Sequence, residues 1–219
     1  MNIAARHGCL RTEVYEQIRS GILNGTYKRG VSLTEISLSK ELGVSRTPIR
    51  EAFCQLQLDG LVTVTPNKSV VVRGFDDQDL ADLYEVRYQI EALAAQKAAL
   101  MMPDDQRQQL RSVYQEEITA TEAQAFKTLQ KLDSHFHRLI VSGSGSSVLQ
   151  HLLSSVSIYT SQARLTSLSN PGRSQQILTE HEKIMTAILE HNSDAARQTM
   201  QEHIAHAAAN FKVVSQNRR

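Results

Sequence analysis

The run Gly43-Val44-Ser45-Arg46-Thr47-Pro48-Ile49-Arg50 constrains the fold of this chain more than any other stretch of it. Gly43 to Ser45 reads as a tight turn. The following residues, SRTPIREAFCQLQLDG, read as a helix with Ile49, Phe53 and Leu56 inward and Gly60 as its stop. Pro48 falls in the first turn, where backbone amides have no partner inside the helix, so it starts the helix instead of breaking it. Arg46 and Arg50, four residues apart, share one exposed face, with Ser45 and Thr47 at the same end.

The flanking residues supply the rest of a small domain. Val14, Ile18 and Ile22 recur at helical spacing and predict a first helix that stops near Asn24-Gly25. Leu38 and Leu42 mark a shorter second helix, with Ser32 or Thr34 as its N-cap and Gly43 just past its end. After Gly60 come two β-branched runs, LVTVT and VVVR, joined by Pro66-Asn67-Lys68-Ser69, which predicts a hairpin with a cation at its tip. Helix, helix, turn, helix and hairpin in that order describe a winged helix-turn-helix. The chemistry suits the geometry, because arginine can pair bidentately with guanine while hydroxyls and free helix amides hold phosphate. Charge agrees in sign: residues 1–74 carry 10 Lys/Arg against 6 Asp/Glu, and residues 75–219 carry 14 against 17.

The stretch GVSRTPIREAFCQLQLDGLV, with the hairpin after it, closely resembles the GntR family of bacterial regulators. That resemblance implies that Arg46 and Arg50 contact bases or adjacent phosphates, that Ser45 and Thr47 contact the DNA backbone, and that the wing around Lys68 approaches the minor groove. Two positions depart from the family pattern. Arg29-Gly30 stands where Pro-Gly is usual, and Ser69 stands where the wing tip usually has glycine, a residue that takes positive φ at little cost. Asn67 is the neighbour able to take that conformation instead.

From Asp76 onward the pattern is helical throughout, with segments expected at about 77–101, 104–121, 123–141, 145–167, 173–191 and 193–214. The predicted fold is therefore mainly α: a winged helix-turn-helix of three helices plus a β-hairpin over residues 1–75, then an antiparallel all-α bundle over 76–219. Seven of the eight histidines lie in the second part. Leu129, Leu132, Phe136, Leu139 and Ile140 mark the apolar side of one helix, with Asp133 and His137 along its margin and four residues apart. His181 lies inside the stripe of Ile177, Ile184, Met185 and Ile188, and His203 lies inside that of Ala196, Met200, Ala207 and Phe211. A lone inward histidine is ordinarily a hydrogen-bonded core residue. Three helices that each bring an imidazole or carboxylate inside make a mixed O/N set, which suits a divalent transition metal and disfavours Ca²⁺.

A second resemblance covers residues 76–215. LYEVRYQIEALAAQKAA, LDSHFHRLI, EHEKIMTAI and MQEHIAHA look like the FCD ligand-binding domain of the FadR subgroup of GntR regulators, in its shorter, six-helix VanR-type form. It implies that Asp133, His137, His181 and His203 are metal ligands, with Zn²⁺ first among ions that include Ni²⁺, Mn²⁺, Co²⁺ and Fe²⁺. It also implies that a small organic acid completes the coordination, with Arg87 as candidate carboxylate partner. Pairing of Arg87 with Glu91 on its own helix stands as the alternative. His135, His191 and His206 are left outside the ligand set.

Partners and rival functions follow from these readings. One helix-turn-helix buries little DNA surface, so a homodimer on double-stranded operator DNA is expected, probing half-sites roughly 34–36 Å apart, and the regulator is expected to be a repressor. A metal-dependent hydrolase is the rival class, but no general base stands beside the ligands and four protein ligands leave few open positions. A purely structural metal, or direct sensing of the metal, fits the same ligands. Cys9 and Cys54 have no metal-binding or redox spacing and read as reduced thiols. No apolar stretch approaches the roughly 20 residues of a membrane span, so the protein is expected to be cytoplasmic, without a membrane partner.

Overall fold

The computed structural model describes residues 3–65, 69–74, 77–154 and 172–216. It divides into two compact units, Met1–Asp76 and Asp77–Arg219. The first holds α1 (Ile3–Leu23), β1 (Ser32–Leu33), α2 (Glu35–Leu42), α3 (Arg46–Leu58), β2 (Val62–Val64) and β3 (Val70–Val72). Val14, Ile18 and Ile22 of α1 pack with Leu38, Ile49, Phe53 and Leu56 in one apolar core, all of them buried. Thr34 is the N-cap of α2, its hydroxyl accepting from the Ser37 amide, and Gly43 ends that helix in the left-handed conformation.

The wing is a three-stranded antiparallel sheet in the order β1-β3-β2, one strand more than the hairpin expected. Ser32 and Leu33 pair with Val71 and Val70. Two residues are too few to show the alternation by which a strand is read from sequence, and only the pairing with β3 makes them one. Thr65 donates its amide to the Ser69 carbonyl, closing the hairpin at 2.9 Å. Pro66 to Lys68, and with them the expected contact of Lys68 and the positive φ of Asn67, lie outside the described residues.

The second unit is helical: α4 (Asp77–Met101), α5 (Asp104–Glu122), α6 (Phe126–Gly143), a helical stretch 147–154 (α7), α8 (Arg173–Leu189) and α9 (Ser193–Gln216). The predicted segment 145–167 falls beyond residue 154 outside the described residues. Helix α6 begins at Phe126, three residues later than expected, because Gln124 takes φ 52° and turns the chain. A glutamine there carries none of the local signal that a glycine or asparagine would. The core joins Ala92, Ala95 and Ala99 of α4 to Phe136 and Ile140 of α6, Ile184 and Ile188 of α8, and Met200 and Ile204 of α9. Alanines on α4 let α9 lie close along it. Cys54, read beside apolar residues, is on the exposed side of α3.

Candidate nucleic-acid interface and candidate metal centre

Helix α3 is anchored by Pro48, Ile49, Ala52, Phe53 and Leu56, which are buried, and this turns the opposite face outward. Ser45, Arg46, Thr47 and Arg50 are all exposed at its N-terminal end. Ser45 is the N-cap by backbone conformation, yet its side chain makes no capping hydrogen bond. Arg50 is not loose: its Nε and Nη2 donate to Glu35 Oε1 and Oε2 of α2, each at 2.8 Å. That fork holds the guanidinium in one orientation and leaves its remaining edge outward.

In the second unit His137 of α6, His181 of α8 and His203 of α9 are buried and each offers a ring nitrogen within 4.8 Å of the other two. Asp133 is also buried, its Oδ1 3.9 Å from His181 Nε2, but it lies outside that three-membered set. His181 is fully buried, stacked face to face on Phe136 at a centroid distance of 4.1 Å. His135 is exposed. His191 faces Arg107, at 3.2 Å, and not the cluster. His206 is half-exposed and bonds Glu180 instead of joining the three imidazoles.

Each imidazole has a glutamate at its Nδ1. Glu117 Oε2 of α5 is 2.8 Å from His181 Nδ1, and Glu180 Oε2 of α8 is 2.7 Å from His203 Nδ1. Glu91 Oε2 of α4 is in contact with His137 Nδ1 at 2.6 Å. Two of these glutamates hold buried arginines in turn. Arg87 Nε donates to Glu91 Oε1 at 2.5 Å, and the Arg173 guanidinium forks onto both oxygens of Glu180 at 2.9 and 3.1 Å. Arg87 is thus seated within its own helix, on Glu91.

The electrostatics are those of a crowded, buried site. Burial holds His203 down at about 3, with the neighbouring imidazoles His181 and His137 adding to it, so it is neutral near pH 7. Burial would raise Glu180, but His203 and Arg173 outweigh it and hold the carboxyl at about 2. Burial pushes Glu117 up, against the pull of His181. Four buried carboxylates, Glu91, Glu117, Asp133 and Glu180, are set among two buried guanidiniums, Arg87 and Arg173. Burial would lower His181, but Glu117 and Asp133 outweigh it and raise it. Carboxyl groups still outnumber guanidiniums by two, an excess of acid groups in a low dielectric that a divalent cation compensates. His181 Nε2, buried and without a hydrogen-bond partner, is the kind of orphaned nitrogen a metal satisfies. The residues fit a divalent metal.

Nothing in the local sequence pattern marks Glu117, Glu180 or Arg173 as part of the site. Glu180 immediately precedes His181, and the spacing of Glu91 predicts only a partner for Arg87. Helical spacing locates residues on a face but says nothing of which carboxylate on another helix meets which imidazole.

Comparison with known proteins agrees with this two-part construction. Residues 10–72 match the bacterial regulatory proteins of the gntR family, and residues 82–206 match the FCD domain. The chain belongs to the GntR family of bacterial regulators, in the FadR subgroup whose C-terminal part is an FCD domain. It is 28% identical over 207 residues to the HTH-type transcriptional regulator YdhC of Bacillus subtilis, covering 92% of this chain and 91% of the relative. It is 24% identical over 204 residues to the HTH-type transcriptional repressor RspR of Escherichia coli, covering 93% and 90%. Its fold is similar to that of E. coli McbR/YncC, with a TM-score of 0.76 at 19% identity over 96% of this chain and 99% of that one. This GntR regulator is a DNA-binding transcription factor from a family of regulators, not of enzymes. Its buried histidine cluster is able to bind a metal. Among the described residues no helix is long and apolar enough to cross a membrane.

Proposed function

We propose that this GntR regulator is a cytoplasmic homodimeric repressor whose operator affinity is set by a small organic acid bound at a metal in the FCD domain. The convergence of three buried imidazoles within 4.8 Å of one another carries this reading. His137, His181 and His203, with Asp133, would hold the ion, with Zn²⁺ first and Ni²⁺, Mn²⁺, Co²⁺ or Fe²⁺ as alternatives. A bound metal supplies a Lewis-acidic anchor for the carboxylate and hydroxyl oxygens of the acid. Arg87 carries five N–H donors and gives its Nε to Glu91, so it can serve Glu91 and a ligand carboxylate together.

On the DNA side Arg46 and Arg50 read base edges or flanking phosphates, Ser45 and Thr47 hold the backbone, and Lys68 reaches the minor groove. Relatives that are repressors, such as RspR, support the sense of regulation. For the dimer, α4 exposes Val86, Leu93 and Leu100, at 43%, 40% and 64% of their surface. They are spaced by sevens and symmetric about Leu93, so an antiparallel second copy sets Val86 opposite Leu100 and buries the same stripe on both sides. Binding of the acid then favours one arrangement of the two DNA-reading units, with coupling of about 1–3 kcal/mol.

The test is elemental analysis of protein purified without chelator or affinity-resin metal, followed by titration of organic acids and of DNA from its own promoter region. About one metal per chain, with acid binding that moves DNA affinity, is expected. A metal that withstands chelator until the fold melts would make the site structural, and a metal-free protein that takes up none on addition would remove the sensor.

A further inference from the structure

The three glutamates behind the imidazoles have a common relation to the site. His181 and His203 each meet a glutamate through Nδ1, and an ionised carboxylate can only accept, so Nδ1 carries a proton and, in the neutral ring that ligates a metal, Nε2 carries the lone pair. His137 has Glu91 at the same nitrogen. In water the Nε2–H form of a histidine side chain is ordinarily the commoner neutral tautomer, so selecting the other one at a cluster takes a partner on Nδ1. Those partners come from α4, α5 and α8, while the histidines come from α6, α8 and α9.

We propose that Glu91, Glu117 and Glu180 are positioning residues that hold the imidazoles with Nε2 toward a common centre, and that Arg87 and Arg173 seat two of those carboxylates. This rests on the metal reading above but concerns residues that reading does not use. Carboxylate partners on the far nitrogen orient the ring and raise its strength as a ligand, and their loss typically costs about 10–100-fold in metal affinity. The three supports are unequal. Glu91 and Glu180 have a guanidinium behind them, whereas Glu117 Oε1 is buried without a hydrogen-bond partner, so His181 depends on the least supported carboxylate.

The full-length protein, stripped of metal, is titrated with Co²⁺ against a chromogenic chelator, as wild type and as Glu117→Gln and Glu180→Gln. In parallel, long-range ¹H–¹⁵N NMR of ring-labelled histidine at pH 8 reads the tautomer of His203 in the metal-free wild type. Expected are an Nδ1–H tautomer for His203, loss of about 10–100-fold in Co²⁺ affinity in each variant, and an altered Co²⁺ visible spectrum. Wild-type affinity and spectrum in both variants, or an Nε2–H tautomer, would overturn the proposal. Wild-type protein that takes up no Co²⁺ while His203 is Nδ1–H would overturn the metal reading and uphold the orientation. The wild-type NMR measurement decides the point even if a variant does not fold.

Discussion

In the unit Met1–Asp76 the arginines assigned to DNA, Arg46 and Arg50, stand in solvent at one end of α3, above a core in which the buried side chains, among the described residues, are apolar. In the unit Asp77–Arg219 three arginines, Arg87, Arg107 and Arg173, are buried, and each is spent on a partner inside the protein. Arg107 shows the extent of it. From α5 it donates to the Ala99 and Met102 carbonyls at the end of α4 and to the Ile188 carbonyl at the end of α8, clamping two helix C-termini, where the last carbonyls have no donor further along the helix. One unit keeps charge outside, for a polyanion. The other takes charge inside, where it orders helices and backs a cluster of three imidazoles.

Substitutions in the second unit are therefore expected to cost more than those in the first. The largest effect is expected from His181→Ala, which removes the buried nitrogen at the heart of the cluster. Metal per chain should fall below detection while circular dichroism stays helical, and unchanged metal content would take His181 out of the ligand set. Next comes Arg107→Met, which takes a donor from three carbonyls of buried residues. A loss of about 3 kcal/mol in denaturant unfolding is expected. A loss under about 1 kcal/mol would mean that water serves those carbonyls equally well.

Arg46→Ala sharpens the other side of the comparison. It should lower specific operator affinity about 10–100-fold with no change in melting temperature, since the side chain is exposed. Fluorescence anisotropy at fixed salt reads the first quantity and calorimetry the second, and a wild-type affinity would end the assignment of α3 as the reading helix. The smallest effect is that of Thr34→Ala, which deletes the hydroxyl accepting from Ser37 N at 3.1 Å. About 1 kcal/mol of stability should go with it, as for other N-caps. A loss as large as that of Arg107→Met would show that the first unit too hangs on single polar contacts.

The two units also differ in how much of them could be read in advance. For the first, Ile49, Phe53 and Leu56 were placed inward, Arg46 and Arg50 outward, and Thr34 among the candidate caps, because capping, turns and a 3.6-residue period are properties of a few neighbouring residues. What escaped was β1, which is a strand only through its partner β3. For the second, His137, His181 and His203 were marked by apolar stripes on their own helices, and the structure brings all three together. Asp133 arrives beside His181 but one step outside the triad.

The sequence by itself determined the helices, the orientation of α3 and the faces on which the histidines ride, since each depends on residues within one or two turns of one another. Tertiary structure alone decided which carboxylate backs which imidazole. Glu117 and His181 are 64 residues apart and Glu180 and His203 are 23 apart, and they meet only because α5, α8 and α9 pack in one register around Phe136. Arg87 was open between a ligand carboxylate and Glu91, and packing seats it on Glu91, because a guanidinium taken out of water binds the nearest carboxylate that burial has also stripped of its hydration.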